Sequence, residues 1–504
     1  MSLPVNPYIA GTPLRGPAGF FGRQDTLEWV ERELRNSQTT ALVLFGQRRI
    51  GKTTLLLQLA RNLSQNDFLP IYFDLQDQAT RPLGQTLSDI ADILCEKAGL
   101  NLGPLGPFDD QGRYFQKDFL PRFYAALGEK RRPVFLLDEF DVLDQSAEAA
   151  LKETATAIAL FPLLRRLITT DGRSAFVFVV GRRAEDLSID FNATFKASLV
   201  REIWVIDKKS AEDLVCQAQR NGTLIFTEDA VQRILSLANH HPYLTQLLCQ
   251  RIWELAYAAG LPSAPPRIGN AEVEAALESS LEAGNQALDW LWNGLNPAEK
   301  IYASALAEIA GENETIPEER IIEVLATHAA RLRTREIELA PRDLVKRHVL
   351  DVGGERRYRF AVELFRRWVH KNKPLIVVKD EVDRIDPMAD RLFVFGDGFY
   401  DARQWEKAAF YFREALNVNP RHFRARLYLG ETLLEQAKVD EAIAELDQAF
   451  VLDREEVRLP LARAWLAKAE LLKSGGNLDV LLQAYERVLE LSPRCHVPGH
   501  RELF

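Results

Sequence analysis

The run LVLFGQRRIGKTTLLLQLA, residues 42–60, restricts the possible folds more than any other part of the chain. Gly46, four intervening residues and then Gly51-Lys52-Thr53 have the spacing of a loop that wraps phosphate. It stands where such a loop must stand, directly after the apolar strand TALVLF and before the helical stretch TTLLLQLARNL. The glycines let backbone N–H groups converge on phosphate oxygens at a helix N-terminus. Lys52 brings a point charge to the β- and γ-phosphates, and the Thr53 hydroxyl can ligate Mg²⁺. The loop residues Gly46, Gln47, Arg48, Arg49, Ile50, Gly51, Lys52, Thr53 and Thr54 are therefore the expected phosphate contacts. Its interior, QRRI, carries two arginines where many such loops have small residues. Contact with phosphates, with neighbouring domains or with solvent all remain open for Arg48 and Arg49.

Around this loop the chain alternates short apolar runs with helical stretches. Strands are expected at 40–45, 69–75, 132–140, 174–181 and 201–206, each nearly continuous in Val, Ile, Leu and Phe. Such runs suit strands buried on both faces, hence a parallel sheet with helices on either side. In VFLLDEFD a buried strand delivers Asp138 to its C-terminal tip, where it can hold Mg²⁺ together with Thr53. Glu139 is placed to orient and polarise an attacking water. Asp141 and Asp144 are expected to cap the segment that follows. In FVFVVGRR a neighbouring strand ends in Gly181-Arg182-Arg183, and Arg182, with Arg183 as a close rival, can reach a γ-phosphate. The only Asn-Lys pair lies in KNKPL, outside this region, so the guanine-reading NKxD element is missing and ATP is favoured over GTP.

At 504 residues the chain is too long for one ordinary core. Residues 1–20 are rich in Pro and Gly and read as an extended arm, and 21–206 form the P-loop domain. From 207 to 285 the pattern is helical, with Asp207 or Ser210, Thr227 and Asn270 as candidate caps. Residues 286–375 open a further unit on LNPAEK, where Asn296 can cap, Pro297 start the helix and Glu299 close a capping box. Several helices followed by a VGGERRYRF hairpin make a winged-helix pattern there. After a linker at 376–387, residues 388–504 repeat with a period of 34: Gly396 and Gly430, Ala408 and Ala442, Phe412 and Leu446, Ala415 and Ala449. That period, with small and aromatic residues alternating at fixed places, is the tetratricopeptide helix–turn–helix signature. The expected fold class is thus multidomain, α/β followed by α: a P-loop domain on a parallel sheet, a helical subdomain, a winged helix and an α-solenoid.

Composition narrows the partners. A net charge of -9 denies the chain the broad positive surface of a nonspecific nucleic-acid binder, although a local basic face is compatible with it. Cys95, Cys216, Cys249 and Cys495 lie far apart without a CxxC pair, as reduced thiols in a cytoplasmic protein would. The N-terminus has no signal-peptide pattern, and no apolar run approaches a membrane span. No nucleophile–His arrangement or nuclease-like metal cluster stands out.

The segments FFGRQDTLEWV, GQRRIGKTT, LLDEFD, VVGRR and NHHPYLTQLLCQRIW, in that order, resemble the STAND-class signal-transduction ATPases, in particular the prokaryotic AAA-like type related to archaeal ATPases and origin initiators. The resemblance covers about residues 8–375 and implies that 21–206 are a P-loop ATPase domain and 207–285 its helical lid. It implies that Phe21, Gly22 and Arg23 pack on the adenine and ribose, and that Pro242, flanked by His241 and Tyr243, closes over the base. The usual glycine before His-Pro is His240 here. His241 itself, with no carboxylate or metal motif beside it, reads as a helix-start residue. The resemblance further implies an ADP/ATP switch that hydrolyses slowly, a homo-oligomer on ATP binding, repeats that bind a protein partner and an appended effector. No effector domain is recognisable in this sequence, so the output is expected to run through a partner, a separately encoded effector among the candidates. The alternative is an origin-initiator-like DNA-binding ATPase. Its winged helix would use Arg331, Arg333, Arg335, Arg342, Lys346 and Arg347, but Glu336, Glu338 and Asp343 dilute that charge.

Overall fold

The computed structural model describes residues 4–14, 16–144, 155–181, 195, 198–328, 335–378, 387–420, 422–473 and 478–491. Arg182, Arg183, Arg331, Arg333 and Cys495 lie outside the described residues. The chain divides into two compact units, residues 1–291 and 292–504.

In the first unit helix α1 (Gln24–Arg35) precedes strand β1 (Ala41–Phe45), the phosphate loop and helix α2 (Lys52–Asn62). Strands β2 (Phe68–Asp74), β3 (Arg132–Asp138), β4 (Ala175–Val180) and β5 (Leu199–Glu202) complete a sheet of order β2-β3-β4-β1-β5, parallel throughout. The fifth strand comes earlier than the apolar run at 201–206 suggests, because Leu199 to Glu202 pair with Leu42 to Phe45 and the chain then turns towards the helices. The strand sequences are continuously apolar because both faces are covered. Leu42, Leu44, Leu136, Val177 and Val179 pack with Val30 and Leu34 of α1 and Leu55 and Leu59 of α2. The alternate residues Val43, Phe135, Leu137, Phe176 and Phe178 face the helices Leu83–Ala98, Leu120–Leu127 and Thr156–Thr170. On that side the rings of Phe135 and Phe176 stack 4.9 Å apart. Burial on both faces is what fixes the register, since a one-residue slip would exchange the two apolar sets.

The helices after the sheet start where capping chemistry asks them to. Asp207 accepts the Ser210 N–H at 3.0 Å and Thr227 that of Ala230 at 3.3 Å. His241 caps helix Pro242–Ala256 through its ring, Nδ1 accepting the Leu244 N–H at 3.4 Å. Asn270 is the first residue of a helix rather than its cap; there Glu272 turns back to accept the Gly269 N–H at 2.8 Å. That helix, Asn270–Asn293, runs without a break through position 285, where the sequence pattern suggests a boundary.

The second unit begins with helix Pro297–Ile309, whose start is the expected capping box between Asn296 and Glu299. Helices Glu318–His328 and Arg335–Lys346 follow. The segments Ile316–Pro317, Leu350–Val352 and Arg357–Phe360 form a three-stranded antiparallel sheet with Arg357–Phe360 in the middle. Gly353 and Gly354 sit in the hairpin turn, as the sequence suggests. Three helical hairpins end the described chain: 387–418, 423–452 and 454–491. The 34-residue period is a packing period. A Cβ on Gly396 would lie 2.6 Å from the Phe412 ring, and one on Gly430 would lie 2.5 Å from Leu446, so the paired helices touch only because both positions are glycine. Ala408, Ala415, Ala442 and Ala449 are fully buried at the same contacts.

Candidate functional site

The C-terminal ends of β1 and β3 meet under one cavity of about 430 Å³, within the range of small-molecule sites. β4 lies between them and ends at Val180, directly before Gly181. The phosphate loop turns tightly after β1: a side chain at Gly46 would strike the Ile203 carbonyl at 2.3 Å, so the residue has to be glycine. Gly51, at φ 95°, and Arg49, at φ 65°, take left-handed backbone conformations that aim the loop back over the helix start. Lys52 is buried and its Nζ donates to the carbonyls of Gly46 and Gln47, both at 2.9 Å. Burial pulls its pKa down, while Glu139, Asp141 and Asp138 oppose that. Gly46 and Gln47 therefore stand behind the lysine, whereas Arg48 through Thr54 line the cavity.

Asp138 is 1% exposed at the tip of β3. Its carboxylate accepts the Tyr72 hydroxyl at 3.0 Å, the Glu139 N–H at 3.0 Å and the Thr53 hydroxyl. Burial nevertheless holds its pKa above the ordinary value. Glu139 sits at φ 48°, a conformation rare outside glycine, which turns its side chain into the same cavity. Its pKa is raised, chiefly by burial and then by Asp141 and Asp138, with Lys52 and Arg48 pulling the other way. Asp141 serves β4: its Oδ1 accepts the Gly181 N–H at 2.9 Å and so anchors the end of that strand. A hydroxyl and a carboxylate side by side, Thr53 and Asp138, form the all-oxygen donor set that a hard cation such as Mg²⁺ takes when phosphate oxygens and water complete its shell.

The other end of the cavity is apolar and collects Phe20, Phe21, Ile206, Leu214 and Pro242. Phe21 lies under the Arg220 guanidinium at 5.5 Å. Arg23 donates to the Ile50 carbonyl at 3.1 Å, and burial lowers its pKa to about 10. Gly22 is off the wall, its Cα facing Ser210 and Ile206, where a side chain would lie 3.1 Å from Ser210. His241 is buried against Trp204 and lines nothing; burial and the neighbouring Arg23 push its pKa down to about 3.

Several wall residues carry no local signal in the sequence. The arm supplies Ile9, Gly11, Thr12, Pro13 and Leu14, and the last long helix supplies Trp290. The arm is tied down on two sides. Towards the helical part, the Tyr8 hydroxyl donates to the Val215 carbonyl and the Ile9 N–H to Gln246 Oε1 at 3.2 Å. Towards the phosphate loop, Arg49 donates to the Gly11 carbonyl at 2.6 Å and the Leu14 N–H to Thr54 Oγ1 at 3.2 Å. Tyr72, which orients Asp138, was equally invisible, because only the β2–β3 register brings it there.

Residues 34–187 match the AAA domain family, and residues 393–455 match the tetratricopeptide repeat family. The chain thus carries an AAA-type P-loop ATPase domain and C-terminal tetratricopeptide repeats. Among solved structures, a Walker-type ATPase of Pyrococcus abyssi is similar in fold, at 12% identity and a TM-score of 0.50 over 71% of this chain and 98% of that one. The Orc1 protein of Aeropyrum pernix, solved in complex with DNA, is 16% identical with a TM-score of 0.34, over 74% of this chain and 94% of that one. The RuvB Holliday junction branch migration motor of Thermotoga maritima is 16% identical with a TM-score of 0.34, over 68% of this chain and 94% of that one. No curated protein matches the chain in sequence. Among the described residues no helix is long and apolar enough to cross a membrane.

Proposed function

We propose that the chain is a Mg²⁺-dependent ATPase of slow turnover that works as an ADP/ATP switch and binds a protein through its repeats. The observation that carries this reading is the meeting of Lys52, Thr53, Asp138 and Glu139 in a cavity walled by the arm and the helical lid. Lys52 already donates to two carbonyls of its own loop, so phosphate oxygens replace partners it has rather than ordering a free side chain. Asp138 and Thr53 would hold Mg²⁺, whose chemistry is to neutralise charge on the phosphates. Glu139 accepts a proton from, and orients, the attacking water; its raised pKa makes it a stronger base than an exposed carboxylate. The base end of the site is apolar, with Phe21, Arg23 and Pro242 as its contacts. Arg182, with Arg183 as its rival, remains our candidate reader of the γ-phosphate.

A wall made from two distant chain segments suits retention of nucleotide better than rapid cycling, and retention is what a switch requires. In the second unit, helices Pro297–Ile309, Glu318–His328 and Arg335–Lys346 with their three-stranded sheet read as a winged helix. Among the described residues several of its basic side chains are paired: Arg347 with Glu299 at 3.0 Å, Arg356 with Glu318 at 2.6 Å, Arg359 with Asp351 at 3.5 Å and Lys346 with Asp343 at 3.3 Å. Paired charges release few counterions, so packing within a protein assembly suits this module better than DNA. Tetratricopeptide grooves take protein segments, and a separately encoded effector is the partner we favour, with ATP-driven homo-oligomerisation as the output step in the cytoplasm.

Native mass spectrometry of the purified chain tests the core of this reading by identifying bound nucleotide. Lys52→Ala abolishes binding, and Glu139→Gln retains ATP while turnover falls by about two to four orders of magnitude, the usual contribution of a positioned acid or base. Unchanged hydrolysis in the glutamine variant removes Glu139 from its role.

A further inference from the structure

The two arginines inside the phosphate loop, which the sequence leaves equivalent, are placed in different situations. Arg49 is fully engaged. It donates to the Gly11 carbonyl at 2.6 Å and lies over the rings of Tyr243 at 5.5 Å and Trp290 at 5.4 Å. It joins the loop, the arm and two helices, and it is a clasp. Arg48 is next in the chain and exposed, and it makes no hydrogen bond or ion pair with any described residue. Among the described residues its ring partner is Trp290, whose centroid is 5.0 Å from the guanidinium carbon. Yet it lines the cavity and lies close enough to Lys52 and Glu139 to act on both charges.

A guanidinium has five donors in a planar fork, and stacking on an indole uses its face while leaving those edge donors free. Arg48 thus lies over Trp290 beside Glu139 and Lys52, the glutamate and lysine that would address the terminal phosphate. We propose that Arg48 binds the terminal phosphate of the triphosphate in cis, and that Trp290 both positions it and reports its engagement. The inference rests on the reading of the cavity as an ATP site and adds a specificity determinant: Arg48 separates triphosphate from diphosphate. An ADP-bound site leaves Arg48 on the indole. An ATP-bound site turns its donor edge to the γ-phosphate and changes the electrostatic environment of the ring. Because Trp290 belongs to the helix Asn270–Asn293, the phosphate state is registered on that helix without any movement of the sheet.

The test compares fluorescent analogues of ATP and ADP in equilibrium titrations on the full chain, wild type against Arg48→Ala, Arg48→Lys and Trp290→Phe. Loss of one charge-assisted contact weakens ATP binding by roughly tenfold or more and leaves ADP within about twofold. Arg48→Lys keeps a charge without the fork and recovers only part of the difference. In parallel, ATP but not ADP shifts the intrinsic tryptophan emission of the wild type, and the shift disappears in Trp290→Phe and in Arg48→Ala. Arg48 is exposed, so its replacement leaves the fold intact, which matching thermal melting curves verify. Equal weakening of ATP and ADP by Arg48→Ala, or an emission shift that survives in Trp290→Phe, overturns the inference. A wild-type chain that binds neither nucleotide overturns the ATP-site reading as well, and the two failures are distinct.

Discussion

Tyr8 offers the sharpest test of the arm as a door. Its ring is 3% exposed, wedged beside Cys216 and Cys249, and its hydroxyl donates to the Val215 carbonyl at the end of helix Lys208–Val215. Tyr8→Phe keeps the ring and removes only that bond. A neutral hydrogen bond contributes about 0.5–1.5 kcal/mol net, and a buried acceptor left without its donor costs about 1–3 kcal/mol. A loss of about 1–2 kcal/mol raises the population with the arm detached roughly 5- to 30-fold. Nucleotide leaving past Ile9 to Leu14 has to wait for that state, so the release rate rises by the same factor. Stopped-flow displacement of a fluorescent ADP by excess unlabelled ADP reads the rate, and amide exchange at Ile9 and Leu14 reads the arm. Faster exchange at those amides with release within about twofold of wild type would refute the reasoning, because the arm would then be open without being the way out.

Other perturbations probe separate features. His241 is neutral in the fold with a pKa near 3, against an unfolded value of 6.5. The unfolded chain therefore binds the proton first, and stability of the first unit falls as pH drops from about 6.5 towards 3, by at most about 1.4 kcal/mol per pH unit. His241→Asn keeps a capping side chain, and its melting curves over pH 4–7 should be flatter by that slope. Gly430→Ala places a Cβ 2.5 Å from Leu446 and should destabilise the repeats by about 1–3 kcal/mol in urea unfolding followed by circular dichroism, with nucleotide affinity unchanged. Asp141→Asn weakens the anchor on the Gly181 N–H; it should lower turnover more than it lowers ATP affinity, and steady-state kinetics beside titration separates the two.

What could be seen in the sequence and what could not divide along a physical line. The phosphate loop, Asp138 and Glu139, the caps at Asp207, Thr227 and Asn296 and the 34-residue period are all local: each is a backbone requirement met by residues within a few positions, or a repeat of one unit. The two-faced burial of the sheet was legible because it leaves unbroken apolar runs. The outer wall of the site was not legible. Ile9 and Trp290 become neighbours of the loop, and Tyr72 of Asp138, only through sheet register and the path of the chain, and no periodicity marks them. The fifth strand fell earlier than its most apolar stretch because pairing with β1, not hydrophobicity, sets its limits. Gly22 belonged to a familiar motif, yet it faces Ser210 rather than the cavity.

The arm and Trp290 come from opposite ends of the first unit, and they close one chamber. Synthesis runs from the N-terminus, and elements become available in that order. A growing chain therefore owns its phosphate loop and most of its sheet long before it owns the helix that carries Trp290. Until that helix leaves the ribosome, the arm can already hold to Val215, Gln246 and Arg49, but the Trp290 side of the chamber stands open. On the proposed reading of the cavity as a nucleotide site, the last wall of the chamber is added only near the end of the unit's synthesis, and a nascent chain halted before it would hold nucleotide in a site open on one side.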